Sequence, residues 1–103
     1  NPRAKLMFIT PMKTTKFSYH TFDNDGNLMK NGNGNTQLDY VNAIKQVADY
    51  YSIPVLDMYS CSNYSPYLPN QVGHDNFTAD GLHPTAHGYE RIAQTIAKAI
   101  NNL

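Results

Sequence analysis

The stretch "QLDYVNAIKQVADYYSIPVLDMY", Gln37 to Tyr59, places a helical pattern directly ahead of a strand pattern. Leu38, Val41, Ile44, Ala48 and Tyr51, with Val47 beside them, recur at the spacing of one helix face, which predicts a helix from Gln37 to Tyr51. Thr36, three residues ahead of Asp39, has the spacing of a capping box, with Asp in place of the usual Glu. "IPVLDMY" then reads as a buried strand, with Pro54 near its start, where a missing backbone donor is tolerated. A helix returning straight into a buried strand is the second half of a strand–helix–strand unit.

The first half lies upstream. "AKLMFIT", Ala4 to Thr10, is a short apolar run closed by Pro11, and its lack of alternation suits a strand covered on both faces. Between it and the helix run 25 mostly polar residues, Pro11 to Asn35, holding the turn sequences "DNDGN" and "NGNGN". "TFDNDGNLMKNGNGN", Thr21 to Asn35, reads as a small hairpin or a surface excursion. Downstream, Ser60 to His83 is a long irregular loop, of the kind that is often functional. A last helix follows, with Tyr89, Ile92, Ala93, Ile96, Ala97 and Ile100 as an apolar stripe and Lys98 favourably near its C-terminal end. The order strand, loop, helix, strand, loop, helix is that of an α/β protein with a parallel sheet. Two strands make a poor sheet, and a parallel pair needs cover on both faces. Residues 1–103 are therefore expected to be the C-terminal portion of a single larger doubly wound domain, with further polypeptide ahead of Asn1.

Bulk composition narrows the function classes. The 103 residues carry 8 basic and 8 acidic side chains, so a nucleic-acid partner or a polybasic membrane contact has no electrostatic footprint here. No apolar run approaches the roughly 20 residues that span a bilayer, and no signal peptide is visible. Cys61 is the single cysteine, which rules out an internal disulfide and suits a cytoplasmic or an exported protein equally.

The chemistry concentrates in "TADGLHPTAHGYERIA", Thr78 to Ala93. Asp80 precedes His83 by three residues, beyond the second strand, and ligand sites of open parallel sheets lie beyond the carboxyl ends of the strands. A neutral imidazole held in one tautomer by a carboxylate is a general base. Gly81 permits the turn, Pro84 stiffens the exit, and Thr85 is placed to cap the following helix.

The block "DGLHPTAHGYERIA" resembles the Asp-x-x-His block and C-terminal helix of the SGNH (GDSL-type) hydrolases. "NPRAKLMFITPM" and "YVNAIKQVADYYSIPVLDMY" resemble that family's penultimate strand, helix and last strand, so the likeness covers most of the chain, with Thr14 to Gly34 the least matched part. The resemblance implies a three-layer αβα, flavodoxin-like fold with parallel strands. It implies a serine esterase or acyl hydrolase that deacylates carbohydrate or lipid esters, a small ester or acylated carbohydrate among them, with His83 as catalytic base, Asp80 as its orienting acid, and no cofactor. The family's Gly-Asp-Ser nucleophile block and its Gly-x-Asn-Asp oxyanion block are both absent from these residues. The expectation is therefore an inactive portion whose serine comes from elsewhere, prone to self-association or to pairing with an N-terminal part. The alternative is a non-catalytic module of the same fold that binds carbohydrate or protein.

Other candidates are weighed against plainer roles. His74, Asp75, Asp80, His83 and His87 form a metal-type cluster, but Pro84 interrupts the His83–His87 spacing and the His-Glu-x-x-His form is missing, so no metal is expected. Cys61 between two serines is a thiol in an unfamiliar place for a nucleophile. Tyr59, Tyr64, Tyr67 and Phe77 either line a substrate pocket or pack the loop on the sheet. Asp23 and Asp25 in "DNDGN" lack the remaining ligands of a calcium loop and form a turn.

Overall fold

In the computed structural model, residues 4–15, 20–73 and 76–103 are described. They form a small α/β unit with a two-stranded parallel sheet and three α-helices: β1 (Phe8–Ile9), α1 (Gln37–Tyr50), β2 (Val55–Leu56), α2 (Met58–Cys61) and α3 (Ala86–Asn101), with a 3₁₀ turn at Pro69–Gln71.

α1 begins where the capping box predicts. Thr36 Oγ1 accepts from the Asp39 N–H at 3.1 Å, and Asp39 Oδ2 accepts from the Thr36 N–H at 2.8 Å. Two of the helix's orphan donors are thereby satisfied. The helix closes with Ser52 at φ 55°, its N–H donating to Asp49 O and the Ile53 N–H to Ala48 O. That is a Schellman arrangement with Ser standing where Gly is usual, and it turns the chain within three residues into β2. Val41 and Ala48 face the core, whereas Val47 and Tyr51, predicted on the same stripe, are exposed.

β1 and β2 run parallel in the register Phe8–Val55 and Ile9–Leu56. Both are shorter than their apolar runs. Pro54 has no N–H, though its carbonyl accepts from Phe8, and beyond Leu56 the chain leaves the ladder because Asp57 caps α2. Met58 and Tyr59, predicted as strand, therefore form the first turn of a helix. The Thr21–Asn35 excursion is held by isolated antiparallel bridges, Phe22–Leu28 and Lys30–Thr36, around turns in which Asp23 and Asn31 each accept two backbone N–H groups. The Asp23–Asp25 segment is a turn, as its sequence predicts.

The molecule is a slab of 45 × 34 × 18 Å with a radius of gyration of 15.0 Å. A globule of this length measures about 13 Å. The apolar faces explain the difference. An open groove of about 690 Å³ between β1 and α1 is lined by Met7, Phe8, Ile9, Ala43, Ile44 and Val47. Along α3, Gly88 alone is buried, and Tyr89 and Ile100 of the predicted stripe are exposed. The stripe has the periodicity of a packed helix face, but the two-stranded sheet is too narrow to cover it.

Candidate active site

The carboxyl ends of the two strands are tied together by one carboxylate. Asp57, just after β2, accepts from Thr10 Oγ1, just after β1, at 2.9 Å, from the Ser60 N–H at 3.1 Å and from Lys45 Nζ of α1 at 2.7 Å. Burial alone would push this carboxyl up, but the bonds from Lys45, Ser60 and Thr10 hold it at about 2. Beside it Lys13 donates to the Tyr59 carbonyl and stands 4.1 Å from the Tyr59 ring centroid. Burial holds that ammonium below the usual lysine range, against the opposing pull of Asp57 and Cys61.

Above this floor the loop from Ser62 to Thr85 is built on Thr78. Its N–H donates to Gln71 O and its carbonyl accepts from Gly73. Its hydroxyl bonds the Tyr64 hydroxyl at 2.9 Å and accepts from the Gly81 N–H at 3.1 Å. Tyr64 and Phe77 stack at 4.3 Å between centroids, both buried. Burial pushes the Tyr64 phenol up, the Thr78 bond offsets part of that, and the charge on Asp80 adds to it. Tyr59, Tyr64 and Phe77 thus pack the loop. Tyr67 latches it: the hydroxyl accepts from the Phe22 N–H and lies within hydrogen-bond reach of the Thr14 and Phe22 carbonyls.

The loop ends in the Asp80–His83 turn. Asp80 Oδ1 accepts from the N–H groups of Leu82 at 3.0 Å and His83 at 2.9 Å, while Oδ2 lies 2.7 Å from His83 Nδ1. A carboxylate without its proton can only accept, so in this contact Nδ1 is the donor, and in a neutral imidazole Nε2 is then the acceptor. The imidazole is 66% exposed and the carboxylate 28%, so the acid is sheltered while the ring is open to solvent. Gly81 sits at φ +90° in this turn, its carbonyl accepting from the Thr15 N–H.

Thr85 then caps α3, accepting from the Gly88 N–H at 3.1 Å and donating to the Asn76 carbonyl. A Cβ at Gly88 would stand 2.0 Å from the Phe77 carbonyl oxygen, so glycine permits the helix to lie against the loop. His87 is the second residue of α3, and His74 and Asp75 fall outside the described residues. Among the described residues no three His, Cys, Asp or Glu side chains converge as a metal site would require. Cys61, a free thiol at the end of α2, is exposed.

No family model matches the chain, and no curated protein matches it. Solved structures do. One crystal structure is 38% identical, covering 99% of this chain and 45% of its own, with a TM-score of 0.76. A protein from Lactobacillus plantarum is 26% identical over 98% of this chain and 46% of its own, with a TM-score of 0.75. A "possible lipase" from Chitinophaga pinensis is 24% identical over 99% and 54%, with a TM-score of 0.66.

The chain shares its α/β fold with these proteins. It spans about half the length of each of them. Among the described residues no helix is long and apolar enough to cross a membrane.

Asp80 and His83 were legible in the sequence, and the turn brings them together. Four groups were not singled out there: Asn70, Gln71, Asn76 and Arg91, which share a polar cleft with Phe77 and His87. The one available signal was the four-residue spacing of His87 and Arg91, which puts two cationic side-chain types on one helix face.

Proposed function

We propose that this chain carries the acid–base part of a serine acyl hydrolase of the SGNH (GDSL-type) kind, acting on small esters or acylated carbohydrates. The observation that carries the reading is the 2.7 Å contact of Asp80 Oδ2 with His83 Nδ1, on a carboxylate anchored by two backbone N–H groups. Two backbone N–H groups fix the carboxylate, and the carboxylate in turn fixes the ring with Nδ1 as donor, the arrangement a general base at Nε2 needs.

In this reaction His83 Nε2 takes the proton of a serine hydroxyl as the oxygen attacks the ester carbonyl carbon. The imidazolium, stabilised by Asp80, then gives that proton to the departing alcohol oxygen. Water repeats the sequence on the acyl-enzyme, releasing the acid and restoring the serine. No Gly-Asp-Ser occurs in the 103 residues, so the serine and the oxyanion donors would come from other polypeptide. The complete unit would be a three-layer αβα domain of which residues 1–103 are the C-terminal portion. Two facts support that extension: the chain spans about half of the proteins that share its fold, and the apolar groove beside β1 is uncovered.

The test is hydrolysis of p-nitrophenyl acetate, with fluorophosphonate labelling to locate the nucleophile. Residues 1–103 alone should neither turn over nor label. The same residues joined to polypeptide bearing the serine block should do both, with label on a serine outside residues 1–103. Turnover that survives His83→Ala, or label within residues 1–103, would overturn the proposal. A joined protein that is folded and inert would favour the binding module.

A further inference from the structure

The cleft between residues 70–71 and 76–77 and the first two turns of α3 has a chemistry the hydrolase reading leaves unused. It encloses about 410 Å³ and is lined by Asn70, Gln71, Asn76, Phe77, His87 and Arg91. Its lining is mostly polar, in contrast to the apolar groove beside β1. Arg91 Cζ lies 5.9 Å from the Phe77 ring centroid, and the Phe77 ring is itself stacked on Tyr64. A guanidinium laid on a buried ring loses fewer rotamers on binding, because its plane is already oriented. Among the described residues neither Arg91 nor His87 forms an ion pair with a carboxylate. The cleft therefore presents a positioned cation whose fork of donors meets no side-chain acceptor among the described residues.

The amides around it are only partly engaged. Gln71 uses Oε1 on the Ser65 N–H and one Nε2 hydrogen on the Asn63 carbonyl, which fixes its orientation and leaves one donor. Asn76 spends one Nδ2 hydrogen on the Val72 carbonyl, leaving its oxygen and its second donor. Adjacent amide donors and acceptors suit vicinal hydroxyls, and a guanidinium suits a carboxylate bidentately. Phosphate would satisfy the guanidinium but has no use for the amide acceptors.

We infer that this cleft binds a carboxylated saccharide unit, with Arg91 on the carboxylate and the Asn70, Gln71 and Asn76 amides on the hydroxyls. That this unit is the alcohol part of the cleaved ester rests on the hydrolase reading; the binding itself does not.

The experiment titrates the protein with glucuronate, glucose and inorganic phosphate, followed by NMR of the Arg91 Nε–H and the side-chain amide signals. Glucuronate should shift both sets saturably, and glucose and phosphate should each bind about tenfold more weakly. Arg91→Gln, at an exposed position, should leave melting unchanged, weaken glucuronate about tenfold and leave glucose as before, since a tenfold change matches one charge-assisted contact at a surface. Asn70→Ala should weaken glucuronate and glucose alike. Absence of a saturable shift with glucuronate overturns the site. Phosphate binding as tightly as glucuronate overturns the saccharide assignment. In the joined protein that bears the serine block, with acetylated glucuronide and glucoside as esters, Arg91→Gln should raise KM for the first alone and leave kcat. If that joined protein cleaves neither ester while glucuronate still binds, the hydrolase reading fails and the cleft stands.

Discussion

Asp80 Oδ2 lies 2.7 Å from His83 Nδ1, and the other oxygen of the same carboxylate accepts the backbone N–H of that histidine. One acid therefore holds both the ring and the main chain of its partner within a single turn, and Thr15 steadies that turn from outside by donating its N–H to the Gly81 carbonyl. In a complete enzyme, His83→Ala should lower kcat by at least about 10³-fold with little change in KM, because the base acts on the transition state. Asp80→Asn should cost about 10²–10⁴-fold, since an amide can donate to Nδ1 and favour the wrong tautomer. Steady-state kinetics on the two variants checks both; a loss confined to KM would contradict them.

Gly81→Ala should loosen the same turn. The residue sits at φ +90°, where a side chain is strained, and a Cβ there would stand 1.9 Å from Thr15 Oγ1. We expect a loss of about 1–3 kcal/mol in chemical denaturation. Thr15→Ala in the same protein should recover the steric part and leave the φ penalty.

Gly88→Ala tests the seat of α3. Helix propensity alone would make alanine the better residue by about 1 kcal/mol. A Cβ 2.0 Å from a backbone oxygen reverses the sign, because neither the helix nor the Phe77 carbonyl can give way cheaply. The melting temperature should fall, and protection of the Thr85 N–H, which donates to Phe77 O, should fall with it in hydrogen exchange.

Asp57 makes an acid-sensitive link between the two strand ends. Its folded carboxyl, at about 2, lies below the ordinary value of 3.8, so protons bind the unfolded chain more readily. The contribution, on the order of 1–2 kcal/mol, is therefore fully present above about pH 4 and is lost as pH falls through about 2. Lys45→Met should shrink this acid-dependent part of the urea midpoint, leaving a flatter curve between those limits.

The uncovered groove beside β1 should make residues 1–103 associate. β1 pairs only with β2 among the described residues, and Leu6, Ile9 and Val47 are exposed beside that edge. Sedimentation velocity should show concentration-dependent association, reduced by Ile9→Lys, which places a charge on the edge. A monomer at all concentrations would show that the groove is not adhesive.

The local features of this protein are written in contiguous residues. Thr36 and Asp39 determine where α1 starts, Thr85 determines where α3 starts, and Asp80, Gly81 and His83 determine a turn that pairs acid with base. Each depends on hydrogen bonds spanning only a few positions, which a short stretch encodes by itself. Strand length was not readable that way, because a ladder lasts only while a partner runs alongside it, and Asp57 redirects the chain into α2 after two residues. Nor was burial: the α3 stripe and the Val47 position have core periodicity, yet periodicity states which face seeks cover and not whether any is present. Arg91 over Phe77, the three amides beside it, and Thr10 bonded to Asp57 across 47 residues exist only once the loop and helices are packed, since no local spacing relates them.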